Sequence, residues 1–336
     1  MRFEKLDAKA YTKIIQSYPK KKWPIEQSPA WGDFQHQVPG REYLGTFVLL
    51  KDDAPVALAT LLQLHMRGYS FVWINQGPVW LREPTATTVK EVVDILRHLV
   101  KTTCNNSPLF IRAHLPSPTI GAVEAHSKAL VEKTTIVDLT PPFEEVLARM
   151  NYGARRGMRN AEKARITVRE VPRDEAIANF ATYYAILRET TSRSGFFGHP
   201  EQTYKTMLET LGEHARLFAA FNQENKSIAW ALDTVYAGHA IYYYGASNEE
   251  ARRASAPYLM QIKIMEQLKT EGVKTYDFLG IGSKNYPGLQ GVTQFKLRFG
   301  GEVVDYTPIY DIPLNSLRYK LWVQAQKVRY KLHHLK

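Results

Sequence analysis

Gly272-Val-Lys-Thr-Tyr-Asp-Phe-Leu-Gly-Ile-Gly-Ser-Lys-Asn-Tyr-Pro-Gly-Leu-Gln-Gly-Val-Thr-Gln-Phe-Lys-Leu-Arg-Phe-Gly-Gly301 is the stretch around which the rest of the chain is organised. Residues 275–279 read as a short strand, and Gly280 and Gly282 force a tight turn at its end. Pro287, Gly288 and Gly291 carry an irregular loop into 293–299, which Gly300-Gly301 closes. Phe295 and Lys296 stand side by side behind that loop, a stacking face and a cation at one mouth. The plainer reading is a turn followed by an edge strand with solvated cations.

Working outward, the first half alternates α and β signals. A helix is expected over 5–17, and another begins at Ser28, whose side chain caps it with Pro29 at the first helical position. Strands are expected at 43–50, 55–65 and 69–75, the last two joined by a turn at Arg67-Gly68. Val89, Val92, Val93, Leu96, Leu99 and Val100 recur at helical spacing within 85–103, and a buried strand follows at 109–112. The second half repeats the scheme. It has a strand at 134–139, helices to 150 and over 152–164, a strand at 166–169, and helices over 174–191 and 200–212. Strands at 216–221, 226–236 and 239–246, a helix over 256–271 and the strand at 275–279 complete it. This order predicts a duplicated α+β fold of the acyltransferase type, two domains with mixed sheets flanked by helices. A last helix over 314–336 carries Leu317, Leu321, Ala325, Val328, Leu332 and Leu335 on one stripe, expected to pack on the body, among cations and no acid.

The 336 residues, 44% hydrophobic and 12% aromatic, suffice for two full cores. One cysteine, Cys104, excludes an internal disulfide and fits a reducing cytoplasm. The first residues lack a signal-peptide apolar region, and no run nears the ~18 apolar residues of a membrane span, so a cytoplasmic protein is expected. A net charge of +11 favours polyanionic partners such as nucleic acid, nucleotide diphosphates or an anionic membrane surface.

Arg155, Arg159 and Lys163 share one face of the helix over 152–164, opposed by the single acid Glu162. Phosphate contact and an ordinary solvated face both account for such a run. Tyr242 and Tyr244 lie on one face of their strand, and Tyr244 leads into Gly245-Ala246-Ser247 at the strand's end. The segment 252–258 stands where an acetyltransferase would hold the coenzyme A diphosphate on glycine backbone. It contains no glycine, which counts against an acyl-CoA donor. Metal-binding motifs, a nucleophile elbow and a Walker loop are all missing from the sequence.

Taken in order, several pieces resemble the Fem family of tRNA-dependent peptidyltransferases. They are Gln27-Ser28-Pro29-Ala30-Trp31-Gly32, Gln76-Gly77-Pro78-Val79, and the run from Arg155 through Ala164. Tyr244-Gly245-Ala246-Ser247, Ala256-Pro257-Tyr258-Leu259, Tyr276-Asp277-Phe278-Leu279-Gly280 and the run from Gly291 through Gly301 follow. The resemblance spans 27–301 and implies two acetyltransferase-like (GNAT-like) domains, 1–133 completed by 307–336, and 134–306. No segment is long enough for the coiled-coil arm of some relatives.

The resemblance also implies the reaction. An aminoacyl ester on tRNA is attacked by a primary amine, usually lysine, in the stem peptide of a peptidoglycan precursor, and the cross-bridge is built. No cofactor is needed, because the ester is already activated. Lys296 matches the lysine that stabilises the tetrahedral oxyanion. Phe295 matches an aromatic beside the tRNA acceptor end. Gln35, His36, His199, Tyr204 and Tyr244 fall at precursor-binding positions. Arg155, Arg159 and Lys163, with the basic terminal helix, are the candidates for tRNA or membrane-surface contact. Two departures stand out: Gln35 replaces a lysine four residues after Trp31, and His199 replaces an arginine before Pro200, with Arg193 six residues upstream. Both family positions hold the precursor diphosphate, so the loss of two permanent cations counts against an identical soluble UDP-linked precursor and favours a lipid-linked precursor at the inner membrane face, or a different acceptor. Rival readings are transfer onto a small peptide metabolite, an acyl-CoA N-acyltransferase, and an RNA-binding module without activity.

Overall fold

Residues 44–50 and 56–63 are buried one after another, the pattern of strands covered on both faces. They form the centre of the sheet in the first of two compact units, Met1–Ser127 with Thr307–Lys336. The second unit is Lys128–Tyr306. The computed structural model describes residues 1–125, 132–194, 198–283 and 289–333. The Pro287-Gly288 part of the expected loop lies outside them, as do the side chains of Arg329, Lys331, Leu332, Leu335 and Lys336.

The chain begins with β1 (Arg2–Leu6), α1 (Ala8–Ser17), α2 (Pro29–His36), β2 (Arg41–Lys51), β3 (Ala54–Met66) and β4 (Tyr69–Ile74). It continues through β5 (Val79–Trp80), α3 (Ala86–Thr103), β6 (Phe110–His114) and β7 (Val123–Glu124). Thr85 caps α3 by accepting from the Thr88 amide at 3.2 Å. The six apolar residues read at helical spacing in α3 are all buried against this sheet. Strands β1 to β4 form an antiparallel meander, and α3 then crosses over to set β6 parallel to β4.

The second unit holds β8 (Lys133–Asp138), α4 (Phe143–Arg149), α5 (Tyr152–Lys163), β9 (Thr167–Val171), α6 (Arg173–Ala178), α7 (Phe180–Ser194) and α8 (Glu201–Leu211). After these come β10 (Ala215–Phe221), β11 (Ser227–Tyr236), β12 (His239–Ser247), α9 (Glu249–Arg253), α10 (Ala256–Thr270), β13 (Thr275–Asp277), α11 (Gln290–Leu297) and β14 (Glu302–Asp305). The sheet order is β14-β8-β13-β12-β11-β10-β9, with β12 and β13 its parallel pair. The repeated scheme is therefore real: a meander, a crossover helix and a parallel strand occur in each unit. Helix α10 buries Leu259, Met260, Ile262, Ile264, Met265 and Leu268, a wider apolar surface than a one-sided stripe. Finally β15 (Ile309–Pro313) and α12 (Ser316–His333) rejoin the first unit, where β15 pairs with β6 and β7.

Five expectations require correction. Tyr242 and Tyr244 do not share a face, because a bulge at Tyr243 sets Tyr242 opposite Asp233 and Tyr244 opposite Leu232, and Tyr242 packs on Phe278 while Tyr244 packs on Tyr204. Residues 2–6 are a strand paired with β2, and the helix expected over 5–17 begins only after Asp7, whose carboxylate caps it at the Ala10 amide, 2.7 Å away. The helix expected over 174–191 breaks at Asn179, whose side-chain amide donates to the Glu175 carbonyl at 3.1 Å, and Phe180 then turns into the core. The edge strand allowed for 293–299 is instead the helix α11 followed by a turn. The last correction concerns α12. Leu317, Leu321 and Val328 are 69%, 63% and 57% exposed, and the helix docks through Tyr319, Trp322 and Val323 on Phe71, Leu109 and Phe110. Aromatic rings bury more area than leucines, and the Tyr319 hydroxyl also finds a buried acceptor in Asp311 at 2.8 Å. Asp311 in turn is held by Arg112 through two bonds of 2.7 and 2.9 Å.

Candidate active site

Strand β13 ends at Asp277, and the backbone then leaves the sheet through two left-handed residues, Leu279 (φ 48°) and Gly280 (φ 70°). A leucine in that region is strained, and strain of this kind concentrates at functional positions. Asp277 holds the turn. Its carboxylate accepts from the Leu279 amide at 2.8 Å and from the Thr134 hydroxyl. The turn aims the carbonyls of Leu279 and Gly280 at one point, and the Lys296 ammonium occupies it, donating to both, with 2.7 Å to Gly280. Helix α11 delivers that lysine. Its Thr293 hydroxyl accepts from the Gly282 amide and donates to the Leu289 carbonyl, both at 2.7 Å, tying helix to turn.

Lys296 is only 8% exposed. Burial pushes its ammonium down to about 8, while the Asp277 carboxylate pulls the other way. An ammonium has three N–H donors, and two serve the carbonyls, so one is left for a third acceptor. Gly300 (φ 75°) closes the helix. A Cβ there would meet the Arg149 carbonyl oxygen at 2.5 Å, so no other residue fits.

Neighbouring residues on a helix point about 100° apart, so Phe295 leaves α11 on another side from Lys296. Its ring meets Tyr258 at 5.2 Å and Phe299 at 5.1 Å. Arg298 donates to the Tyr258 hydroxyl at 2.5 Å and lies 5.7 Å from that ring. Gly157 of α5 seats Tyr258, since a Cβ there would come within 2.5 Å of the ring. The result is a half-buried aromatic platform with a guanidinium on it. The signal for Tyr258, Arg298 and Asp277 lay in the same quoted motifs, but nothing in their spacing assigned them a role.

His199, Tyr204 and Tyr244 converge in this unit. His199 and Tyr244 lie 5.7 Å apart edge to face, and Tyr204 and Tyr244 lie 4.9 Å apart. The Tyr204 hydroxyl accepts from the His199 amide at 3.1 Å. Tyr204 is itself fully buried against Phe180 and Trp230, so it shapes the cluster rather than lining an open surface. Arg193 reaches the Ser247 carbonyl at 3.4 Å, at the end of the strand that carries Tyr244.

Gln35 and His36 belong to the first unit, on α2. Gln35 is buried and its amide oxygen accepts from Arg41, so a guanidinium stands beside a position where the resemblance implies a missing cation. His36 is exposed, and its Nδ1 accepts from the Tyr43 amide at 3.4 Å. On α5, Arg159 and Lys163 are exposed together with Arg156, whereas Arg155 is half-buried and donates to the Ala148 carbonyl at 3.4 Å. Tyr152 is 65% exposed on the same face, one turn before Arg156. Among the described residues no group of His, Cys, Asp or Glu could hold a metal ion, and no helix is long and apolar enough to cross a membrane.

The FemAB family model matches residues 119–224 and 219–327, which cover Lys296, Phe295, Tyr258 and the His199 cluster. The chain belongs to the FemAB family. A stretch of 91 residues is 24% identical to the aminoacyltransferase FemA of Staphylococcus aureus; it makes up 26% of this chain and spans only 22% of that relative's length. The crystal structure of FemX superposes with a TM-score of 0.77 at 17% identity, covering 96% of this chain and 99% of that one. A tandem GNAT protein from the clavulanic acid biosynthesis pathway superposes with a TM-score of 0.55 at 13% identity, over 94% and 98% of the two chains. These likenesses show the fold. The chain shares its fold with FemX and with the tandem GNAT protein, and the FemAB match extends across the entire second unit that carries Lys296.

Proposed function

We propose that this FemAB-family protein transfers an amino acid from aminoacyl-tRNA to a primary amine, usually a lysine side chain, in the stem peptide of a peptidoglycan precursor. The observation that carries the reading is the Lys296 ammonium, buried and aligned by two carbonyls with a donor to spare. In the proposed reaction the neutral amine attacks the ester carbonyl carbon, a C–N bond forms and the carbonyl oxygen becomes an oxyanion. The spare N–H of Lys296 faces that oxygen as the charge develops. The ester C–O bond then breaks, and the proton lost by the amine ends on the departing ribose oxygen. A donor fixed in a water-poor site lowers such a barrier by about 3–4 kcal/mol.

The platform of Phe295, Tyr258 and Arg298 suits the unpaired 3′ end of tRNA, because bases stack on aromatic faces whatever their sequence. Along α5, Tyr152 with Arg156, Arg159 and Lys163 offers an aromatic and three cations to a phosphate backbone. His199 and Tyr244, with Arg193 and, in the first unit, His36 and Gln35 with Arg41, are assigned to the precursor. The reaction belongs in the cytoplasm, where charged tRNA is found. An acyl-CoA donor is disfavoured by the segment before α10. There α9, capped by Asn248 at the Ala251 amide, and the left-handed Ser255 replace an open glycine cradle.

The test is transfer itself. The protein is incubated with tRNA charged with radiolabelled amino acids and with lysine-containing precursor in UDP-linked and lipid-linked forms. Label on either form supports the reading and names the acceptor. Bound tRNA without transfer points to a binding module, and no tRNA binding points back to acyl-CoA.

A further inference from the structure

Helix α12 is fixed to the first unit along one side. Tyr319 is 7% exposed, its ring lies 5.5 Å from Phe110 and its hydroxyl donates to the buried Asp311. Trp322 packs 5.1 Å from Phe110 and 5.4 Å from Tyr69. At about 100° per residue, Leu317, Leu321 and Val328 project roughly opposite to that docked side. The anchoring therefore turns an apolar ridge to solvent. Isolated exposed leucines are ordinary, but three at i, i+4 and i+11 of one helix, each more than half exposed, are not scattered.

Charge decides what fits the ridge. Arg318 lies on one flank of it and Lys320 and Lys327 on the other. All three are exposed, and residues 316–333 contain no acid. A second copy of the helix would bring cation rows against cation rows with no carboxylate on either helix to pair them. An RNA backbone would use the cations and leave the ridge in water. A leaflet of anionic phospholipid satisfies both, with the apolar side chains among the acyl chains and the cations at the phosphates. We propose that α12 is a membrane-surface helix, its Leu317-Leu321-Val328 ridge inserting into an anionic lipid surface between flanking Arg318, Lys320 and Lys327. The contact is reversible, since three aliphatic side chains bury too little area for permanent attachment. The proposal does not depend on the transfer reaction.

Flotation of the full chain with phosphatidylglycerol-rich and with pure phosphatidylcholine vesicles tests it. The protein is expected to float with the anionic vesicles, and less as salt rises. Leu317→Ser with Leu321→Ser and Val328→Ser should lower the partition at least tenfold. Arg318→Gln with Lys320→Gln and Lys327→Gln should lower it about fivefold per charge removed. All six side chains are exposed, so both variants are expected to keep the parent circular dichroism. Failure to float with anionic vesicles at low salt overturns the proposal. So does an apolar triple variant that floats like the parent. A protein that ignores vesicles but self-associates through the ridge, or binds RNA through the three cations, would assign the face to that partner instead.

Discussion

Lys296→Met separates catalysis from folding because its effects on stability largely offset, whereas its effect on turnover does not. Burial takes the ammonium from an ordinary 10.5 to about 8, which corresponds to about 3 kcal/mol spent on keeping that charge inside the fold. Methionine removes this cost and fills similar space. It also leaves the Leu279 and Gly280 carbonyls without their donor, a loss of about 1–3 kcal/mol for each. The two terms offset in large part, so the variant is expected to stay folded and within a few kcal/mol of the parent at pH 7. Its turnover on charged tRNA and precursor should fall by about 10²–10³.

The parent should show a matching pH signature. Its oxyanion donor is the charged form, present below about pH 8 and lost above it, so the rise in turnover that deprotonation of the acceptor amine brings should level off above that pH. Stability responds in the same range. Between about 8 and 10.5 the unfolded lysine holds a proton that the folded one has released, so stability rises with pH in that window. Single-turnover rates and urea melts of both proteins across pH 6–10 read all three effects. A Lys296→Met protein with turnover within about threefold of the parent, folded and binding tRNA, would refute the oxyanion assignment.

Three further outcomes are expected. Phe295→Ala should raise the KM for charged tRNA by roughly tenfold, in keeping with about 1–3 kcal/mol per stacked base, while leaving affinity for precursor unchanged in a titration without tRNA. Arg112→Met leaves the Asp311 carboxylate buried without its main partner and should cost about 3–5 kcal/mol in a urea melt, loosening α12 through Tyr319. Asp233 is fully buried in β11, and desolvation pushes its carboxyl up to about 8, so the folded protein holds a proton there that the unfolded chain releases above about pH 4. Stability should thus fall as pH rises from about 4 to about 8. Asp233→Asn, whose amide oxygen can still accept from the Tyr276 hydroxyl, should flatten that slope and add on the order of 2 kcal/mol at pH 7.

Much of the fold was legible because periodicity reports burial. The six apolar positions of α3 and the continuous runs of β2 and β3 appear in the structure where their spacing placed them. Where the reading failed, long-range contacts decided. The stripe of α12 was sound as a pattern, but which side docks depended on Phe110, remote in sequence, and on the Asp311 carboxylate that Arg112 holds in place, and a helical wheel shows neither. Segment 293–299 was ambiguous between strand and helix because a few residues fit either period. Lys296 and Phe295 were legible from the residues as a cation beside a stacking face, and their roles were legible by resemblance. Their working geometry rests on a left-handed leucine and on Asp277, and neither feature has a local sequence signal. Likewise, Gln35 reads as a missing cation until Arg41, brought alongside by the packing of α2 on β2, is seen to stand against it.

Acyl transfer from tRNA to an amine is measured by following both ends of the exchange together. The protein is mixed with charged tRNA and lysine-containing precursor and quenched at intervals. Surviving ester is counted on the RNA, and the precursor mass is read from the same samples. One amide should be gained on the precursor for each ester lost, with ester loss dependent on precursor and slowed in Lys296→Met. Ester that survives unchanged, or that hydrolyses with no mass added to the precursor, would contradict acyl transfer.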